Sequence, residues 1–390
     1  MAFLKRRAAA VIVITLTAAL SAGSVSPADP DALPRTAPPL RADAVTRIDA
    51  ALAPLVAAQL ISGTLLITEA GTTVVSRSYG WSDAANQTPN RLNTRFRIGS
   101  ITKQFTAMAV LLLQEQGKLR VTDPVCDHLT SCPSHWRPIT LHQLLIHTSG
   151  IPDYFARADL IPHDRHIEPA DLVTAIAALP VDFPAGSRYS YSNSGYVILG
   201  HVIERTSHQR YQDFLRTAIL APLRLHDTGY DDQPVAPAHA IGYKTLAVPA
   251  DIDHASVAYA AGAMYSTVQD LARWTQTLID RRFASQASVD AMLHAQISMC
   301  DREGTLCSPR QCDHQPHTCY SYGYGWFLQN QRNRSGGSDK IIEHGGAVSG
   351  FLASSRYYPD RQLHLIILTN TEILSPDPVL QRLWDAATID

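Results

Sequence analysis

Apolar residues at helical spacing over Val45 to Leu60 predict an opening helix. Two runs rich in β-formers follow, Gly63 to Thr68 and Thr72 to Tyr79. Gly71 splits them, which predicts an antiparallel hairpin. Thr94 to Ile98 reads as a short strand or loop that breaks at Gly99. From Ser100 through Gln104, Phe105, Met108, Val110 and Leu113, apolar residues cover nearly the whole circumference of a predicted helix. Such a helix is expected inside the protein rather than on its surface, and Gly117 ends it where helix C-termini favour glycine. Val121 to about Tyr243 lacks comparable strands and is read as helical, over Leu141 to His147, Ala170 to Leu179, Gly195 to Thr206 and Tyr211 to Ile219. Strand patterns return at Gly325 to Gln329, Lys340 to His344, Phe351 to Tyr358 and Leu363 to Asn370, before a short helix from Pro378 to Ala387. Strands at both ends with helices between predict one sheet assembled from both termini and a helical subdomain, about 118–250, inserted beside it. The expected fold class is therefore α/β plus all-α, with a cleft where the two parts join. No internal repeat is present.

The chain has 390 residues, 45 % of them hydrophobic, which is enough for a sizeable core. Its net charge is −2 and no long basic run follows the first residues, so nucleic-acid binding has no electrostatic support. Lys5, Arg6 and Arg7 precede an apolar run from Ala8 to Leu20 that is too short to span a bilayer, and small residues follow from Ser21 to Ala28. This pattern predicts a cleaved secretory signal over 1–28, with no stable membrane anchor after cleavage. A Pro/Ala/Asp-rich leader over 29–43 would then precede a folded domain from 44 to 390, secreted or periplasmic. Six cysteines suit an oxidising compartment. Cys126 and Cys132 form one close set, and Cys300, Cys307, Cys312 and Cys319 form another within a Cys-rich insertion over 300–319. Local disulfides are the natural reading. The side chains of Cys312, Asp313, His314, His317 and Cys319 also suit zinc, and a zinc hydrolase stands as an alternative.

Three short motifs carry candidate chemistry. Ser100 and Lys103 are three apart, so they share one helical face at the start of the buried helix. Free backbone N–H groups there favour developing negative charge, and a lysine stripped of water falls in pKa and can serve as a base. Tyr191 and Asn193 lie in a loop after Pro184, Ala185 and Gly186. A phenol near an ammonium relays protons, and a side-chain amide both donates and accepts. His344, Gly345, Gly346 and Ala347 end a predicted strand, where glycines let a ligand approach the backbone. Each motif alone is commonplace, as a helix cap, a turn and a β-turn respectively.

Together, in the order Ser-x-x-Lys, Tyr-x-Asn, His-Gly-Gly, they resemble the serine β-lactamase and penicillin-binding-protein superfamily. The closest branch is that of class C β-lactamases, D-Ala-D-Ala carboxypeptidases and related esterases. The resemblance extends over Phe96 to Lys103, Gly117 to Val125, Ile139 to Pro152, Phe183 to Gly200, Ala261 to Trp274 and His344 to Thr371. It implies a β-lactamase/transpeptidase-like fold, an antiparallel sheet flanked by helices. It further implies Ser100 as the acylated nucleophile and Lys103 with Tyr191 as the proton relay. Asn193 would hold the substrate's amide, and His344 would orient Tyr191 and favour a substrate carboxylate. The backbone N–H groups of Ser100 and Ala347, beside Gly345 and Gly346, would bind the oxyanion. His147 is read as a structural residue beneath the site. No cofactor or metal is implied, and the substrate is a small molecule or a peptidoglycan peptide.

Two departures from the family pattern stand out, the third motif and the segment Cys300 to Cys319, an addition that matches no family element. Where many β-lactamases carry Lys-Thr-Gly, this chain has His344-Gly345-Gly346, and Lys244-Thr245-Leu246 falls at the wrong place in the order. The readings that remain are a D-alanyl-D-alanine carboxypeptidase-like or β-lactamase-like hydrolase, a carboxylesterase or D-aminopeptidase of the same family, and a non-catalytic penicillin-binding sensor. A conventional α/β-hydrolase lacks support, because no Gly-x-Ser-x-Gly elbow is present.

Overall fold

The computed structural model describes residues 39–157, 159–232, 238–245, 248–251, 253–301, 303–307, 319–332 and 337–388. The expected signal over 1–28, the leader as far as 38, and Cys312, Asp313, His314 and His317 lie outside the described residues.

Strands from the two ends of the chain merge into one eight-stranded sheet. Its spatial order is Ile297–Met299, Tyr320–Tyr322, Phe327–Arg332, Ser338–Val348, Phe351–Tyr358, Leu363–Thr369, Gly63–Glu69 and Thr72–Tyr79. Every neighbouring pair is antiparallel. The closing ladder sets Leu65 opposite Ile367 and Leu66 opposite Ile366, joining residues some 300 positions apart. Side-chain alternation then builds two cores from one strand pair. Leu65, Ile67, Leu363, Leu365 and Ile367 face the terminal helices Ala44–Ala57 and Pro376–Ala387, packing on Ile48, Leu52, Leu380, Leu383 and Trp384. Leu66, Ile366 and Leu368 face the opposite way, into a larger core with Phe105, Leu271 and Trp274. Truncating such a fully buried leucine or isoleucine to alanine costs about 2–5 kcal/mol.

The helical part packs on that second face. Its axis is the helix Thr102–Glu115, of which only Leu112, Gln114 and Glu115 escape burial. The predicted start at Ser100 is instead a 3-10 turn, Gly99–Ile101, entered through Gly99 at φ +50°. With Gly99 in that left-handed region the α-helix cannot extend back through it, and Ser100 sits at the lip of the helix that begins at Thr102. Around it lie Leu141–Leu145, Pro169–Ala177, Asn193–Ser207 and Tyr211–Leu215, in the stretch read as helical. That stretch also holds a short strand, Gly229–Tyr230, in a small sheet with Met264–Ser266 and Phe96–Arg97. Two further helices, Ala255–Gly262 and Val268–Ile279, complete the wall. Cys126 is bonded to Cys132 and Cys300 to Cys307.

Candidate active site

The small sheet ties down the turn that carries Ser100. Ile98 N donates to the Met264 carbonyl at 2.9 Å, and Met264 N donates to Thr102 Oγ1 at 3.2 Å. Ser100 is thus clamped from both sides and lines a cleft of about 550 Å³ between sheet and helical part.

Lys103 is fully buried one helical turn on. Its Nζ lies 3.1 Å from Ser100 Oγ, 2.7 Å from Asn193 Oδ1 and 2.9 Å from the Ala261 carbonyl. Loss of water drives its pKa down to about 7, against the opposing charge of Asp153. A neutral amine has two N–H bonds and one lone pair. Asn193 Oδ1 and the Ala261 carbonyl only accept, so they take both hydrogens and leave the lone pair facing the Ser100 hydroxyl.

Tyr191 reaches the same point from the loop that precedes the helix Asn193–Ser207. Its ring lies 4.9 Å from Lys103 Nζ and packs on His147 at 4.3 Å between centres. Burial pushes the phenol up, with Ser100 acting against that shift, so Tyr191 stays a neutral hydroxyl at neutral pH. His147 accepts from Ser192 N at 3.1 Å through Nδ1, and its carbonyl accepts from Ser190 N at 2.9 Å. Both bonds hold the Tyr191 loop from below.

Gly346 lies against the Ser100 turn itself. A Cβ there would fall 1.9 Å from the Ile98 carbonyl oxygen and 3.1 Å from Ser100 N, and a Cβ on Gly99 would fall 2.6 Å from Ala347 N. Glycine at both positions lets this strand and turn approach so closely, and Ser100 and Ala347 both line the cleft.

His344 departs from the charge role that the resemblance implies. Burial, and secondarily Lys103, push its pKa down to about 3, so the imidazole is neutral. Its Nδ1–H donates to the Gly345 carbonyl at 2.6 Å, and Nε2 accepts from the Tyr322 hydroxyl at 3.1 Å. With both nitrogens occupied it has no charge to offer a carboxylate. It meets Tyr191 only by packing, 6.2 Å between ring centres.

Asn193 lines the cleft, yet its amide is already engaged by the protein. Oδ1 accepts from Lys103, and Nδ2 donates to Asp153 Oδ1 and Oδ2 at 3.3 and 3.0 Å. Asp153 and Tyr322 bond to Asn193 and His344, and no motif in the sequence marks them. Other charges on the cleft wall are Arg97, ion-paired to Asp231, together with Asp253 and Glu372. Among the described residues, no group of three or more His, Cys, Asp or Glu side chains is arranged to hold a metal.

The model of a family described as Beta-lactamase matches residues 48–388. Penicillin-binding protein 4* of Bacillus subtilis (strain 168) is 29 % identical over 333 residues, spanning 80 % of this chain and 68 % of its own length. The putative penicillin-binding protein PbpX of the same strain is 32 % identical over 235 residues, 59 % of this chain and 58 % of that protein. This chain therefore matches less than two thirds of the latter relative. Among solved structures, the octameric penicillin-binding protein homologue from Pyrococcus abyssi aligns with TM-score 0.72 at 25 % identity, covering 87 % of this chain and 76 % of that one. The D-amino acid amidase from Ochrobactrum anthropi SV3, complexed with L-phenylalanine amide, aligns with TM-score 0.72 at 23 % identity over 88 % and 98 % of the two chains, a likeness of fold.

Proposed function

The chain belongs to the Beta-lactamase family, and on that premise we propose that it is a secreted serine hydrolase working through an acyl-enzyme on Ser100. Its substrates are amides of the kind cleaved by D-alanyl-D-alanine carboxypeptidases or β-lactamases. The observation that carries this reading is the buried Lys103 amine, with pKa near 7, placed on the Ser100 hydroxyl. Lys103 takes the Ser100 proton as Oγ attacks the carbonyl carbon. The oxyanion that forms is held by the amides of Ser100 and Ala347. Tyr191, neutral and beside Lys103, hands a proton to the departing nitrogen and recovers one from the lysine. A water then enters along the same path, gives its proton to the relay and releases the acid, restoring Ser100. A sensor that binds without covalent chemistry would have no need of a hydroxyl and a depressed lysine in hydrogen-bond contact. Secretion is supported by the basic and apolar start of the sequence and by the disulfides.

A second reading, a carboxylesterase or D-aminopeptidase of the family, is favoured by one specific feature. His344 is neutral, and Arg97 on the cleft wall is tied to Asp231. A substrate carboxylate therefore meets no free cation among the described cleft residues.

The deciding experiment mixes the mature protein with a penicillin and follows intact mass together with ring opening. A persistent adduct that disappears in Ser100→Ala supports the peptidase-like form of the proposal, and rapid ring opening supports the β-lactamase form. Cleavage of a simple ester with neither adduct nor ring opening moves the assignment to the esterase or aminopeptidase reading. Wild-type turnover by Ser100→Ala would overturn the nucleophile assignment.

A further inference from the structure

We propose that Asp153 is a positioning residue for the base: it fixes the Asn193 amide, and through that amide the lone pair that Lys103 turns to Ser100. The proposal rests on the reading of Lys103 as the base of Ser100.

The side chains form a chain of carboxylate, amide and amine. Both oxygens of Asp153 accept from Asn193 Nδ2, and Oδ1 also accepts from the Asn193 backbone N–H at 3.2 Å. The two hydrogen bonds from Nδ2 to one carboxylate leave the amide a single orientation, and the third ties down its backbone. Were it reversed, its NH2 would face the lysine and its carbonyl would face the carboxylate, and both contacts would be unfavourable. In the orientation held by Asp153, Asn193 Oδ1 faces Lys103 at 2.7 Å, the shortest of the three contacts that lysine makes to oxygen. That contact and the Ala261 carbonyl decide where the amine's hydrogens go.

Asp153 also stands alone electrically. The titratable groups that act on Lys103 or pack around it are Asp153, Tyr191, Tyr196, His147 and His344. Burial pushes both phenols up and both imidazoles down, so all four are neutral near pH 7. The only one of the five that can be charged opposite to the ammonium is Asp153. Its loop is firmly anchored. Asp153 caps the turn Tyr154–Ala156 through Phe155 N, and Tyr154 N donates to Ser194 Oγ at 3.1 Å. Loop and helix are thereby laced together on both sides of the pair.

The test is the pH profile of kcat/KM for an activated ester in Asp153→Asn, with Asp153→Glu as the conservative variant. Removing the carboxylate lets the amide rotate, so the high-pH plateau should fall about tenfold or more. It also removes the charge that favours the ammonium, so the midpoint of the acidic limb should move to lower pH. Asp153→Glu should keep the wild-type midpoint. In an Asn193→Ala background, Asp153→Asn should still move the midpoint but cost little further plateau rate, because the amide it acts through is gone. An unchanged midpoint, with any loss confined to KM or to thermal melting, overturns the proposal. So does loss of folded protein in both Asp153→Asn and Asp153→Ser, which would make the residue structural. Failure of the underlying reading is seen separately, as turnover in Ser100→Ala.

Discussion

Lys103 Nζ lies 3.1 Å from Ser100 Oγ, in a pocket where the lysine side chain has no contact with solvent. Burial is what depresses this lysine, since an exposed one would hold its proton to about pH 10. With a pKa near 7, the amine gains its lone pair as pH rises through neutrality. Acylation by an activated ester should therefore climb between about pH 6 and 8 and level off above. Lys103→Arg, which stays protonated, should reduce it by about 10²–10⁴-fold at pH 8. Stopped-flow acylation across pH checks both, and a flat profile in the wild type would remove Lys103 as the base.

Gly346 is a tight contact between the sheet and the Ser100 turn. Gly346→Ala puts a methyl group against the Ile98 carbonyl and beside Ser100 N. The strand must move away and carry the Ala347 amide with it. Loss of one oxyanion donor costs about 10²–10³ in rate. The variant should keep its fold while acylation falls by that order, as read from burst amplitude and rate. A change in KM alone would show that the Ala347 amide serves no oxyanion.

His344 is occupied at both nitrogens and carries no charge. His344→Gln should therefore change kcat/KM for a D-Ala-D-Ala peptide and for its C-terminal amide by the same factor. Competition assays on the matched pair measure this directly. A loss confined to the free carboxylate would show that His344 is charged when substrate is bound.

How legible these relationships are in sequence depends on how local they are. Ser100 and Lys103 are one helical turn apart, so spacing alone pairs them, and the all-round apolar helix already predicts a desolvated lysine. The sheet strands around Leu65 and Leu365 announce themselves by β-rich apolar runs. Asp153 does not, because its partner Asn193 is 40 residues on, beyond the helix Pro169–Ala177, and no spacing links the two. Tyr322 pairs with His344 from a strand of three residues, too short to show alternation. The helix Ala255–Gly262 hides for another reason. Its small residues carry little amphipathic signal, and it breaks at Tyr259, held at φ +39°. Just past that break, the Ala260 and Ala261 carbonyls accept from Thr106 Oγ1 at 2.7 Å and Lys103 at 2.9 Å. The neutral state of His344 is equally hidden, since its charge is set by burial rather than by its place in a motif.

The depressed lysine carries a stability signature that is independent of catalysis. Unfolded, Lys103 titrates near its ordinary value of 10.5, and folded, near 7. Between these values the unfolded chain binds the extra proton, so the native state loses stability as pH falls from about 10.5 to about 7. Below pH 7 both states are protonated and the loss is complete but constant. Lys103→Met fills similar volume without a charge and escapes this loss. The difference in melting temperature, Lys103→Met minus wild type, should therefore grow as pH drops from about 10 to 7. Groups remote from Lys103 act alike on both proteins and cancel in the difference, whereas Asp153, His147 and His344 feel its charge and add their own change on the acid side. Calorimetry of the two proteins at matched pH measures it, and a difference that is constant from pH 10 to 7 would mean that Lys103 is not desolvated in the folded protein.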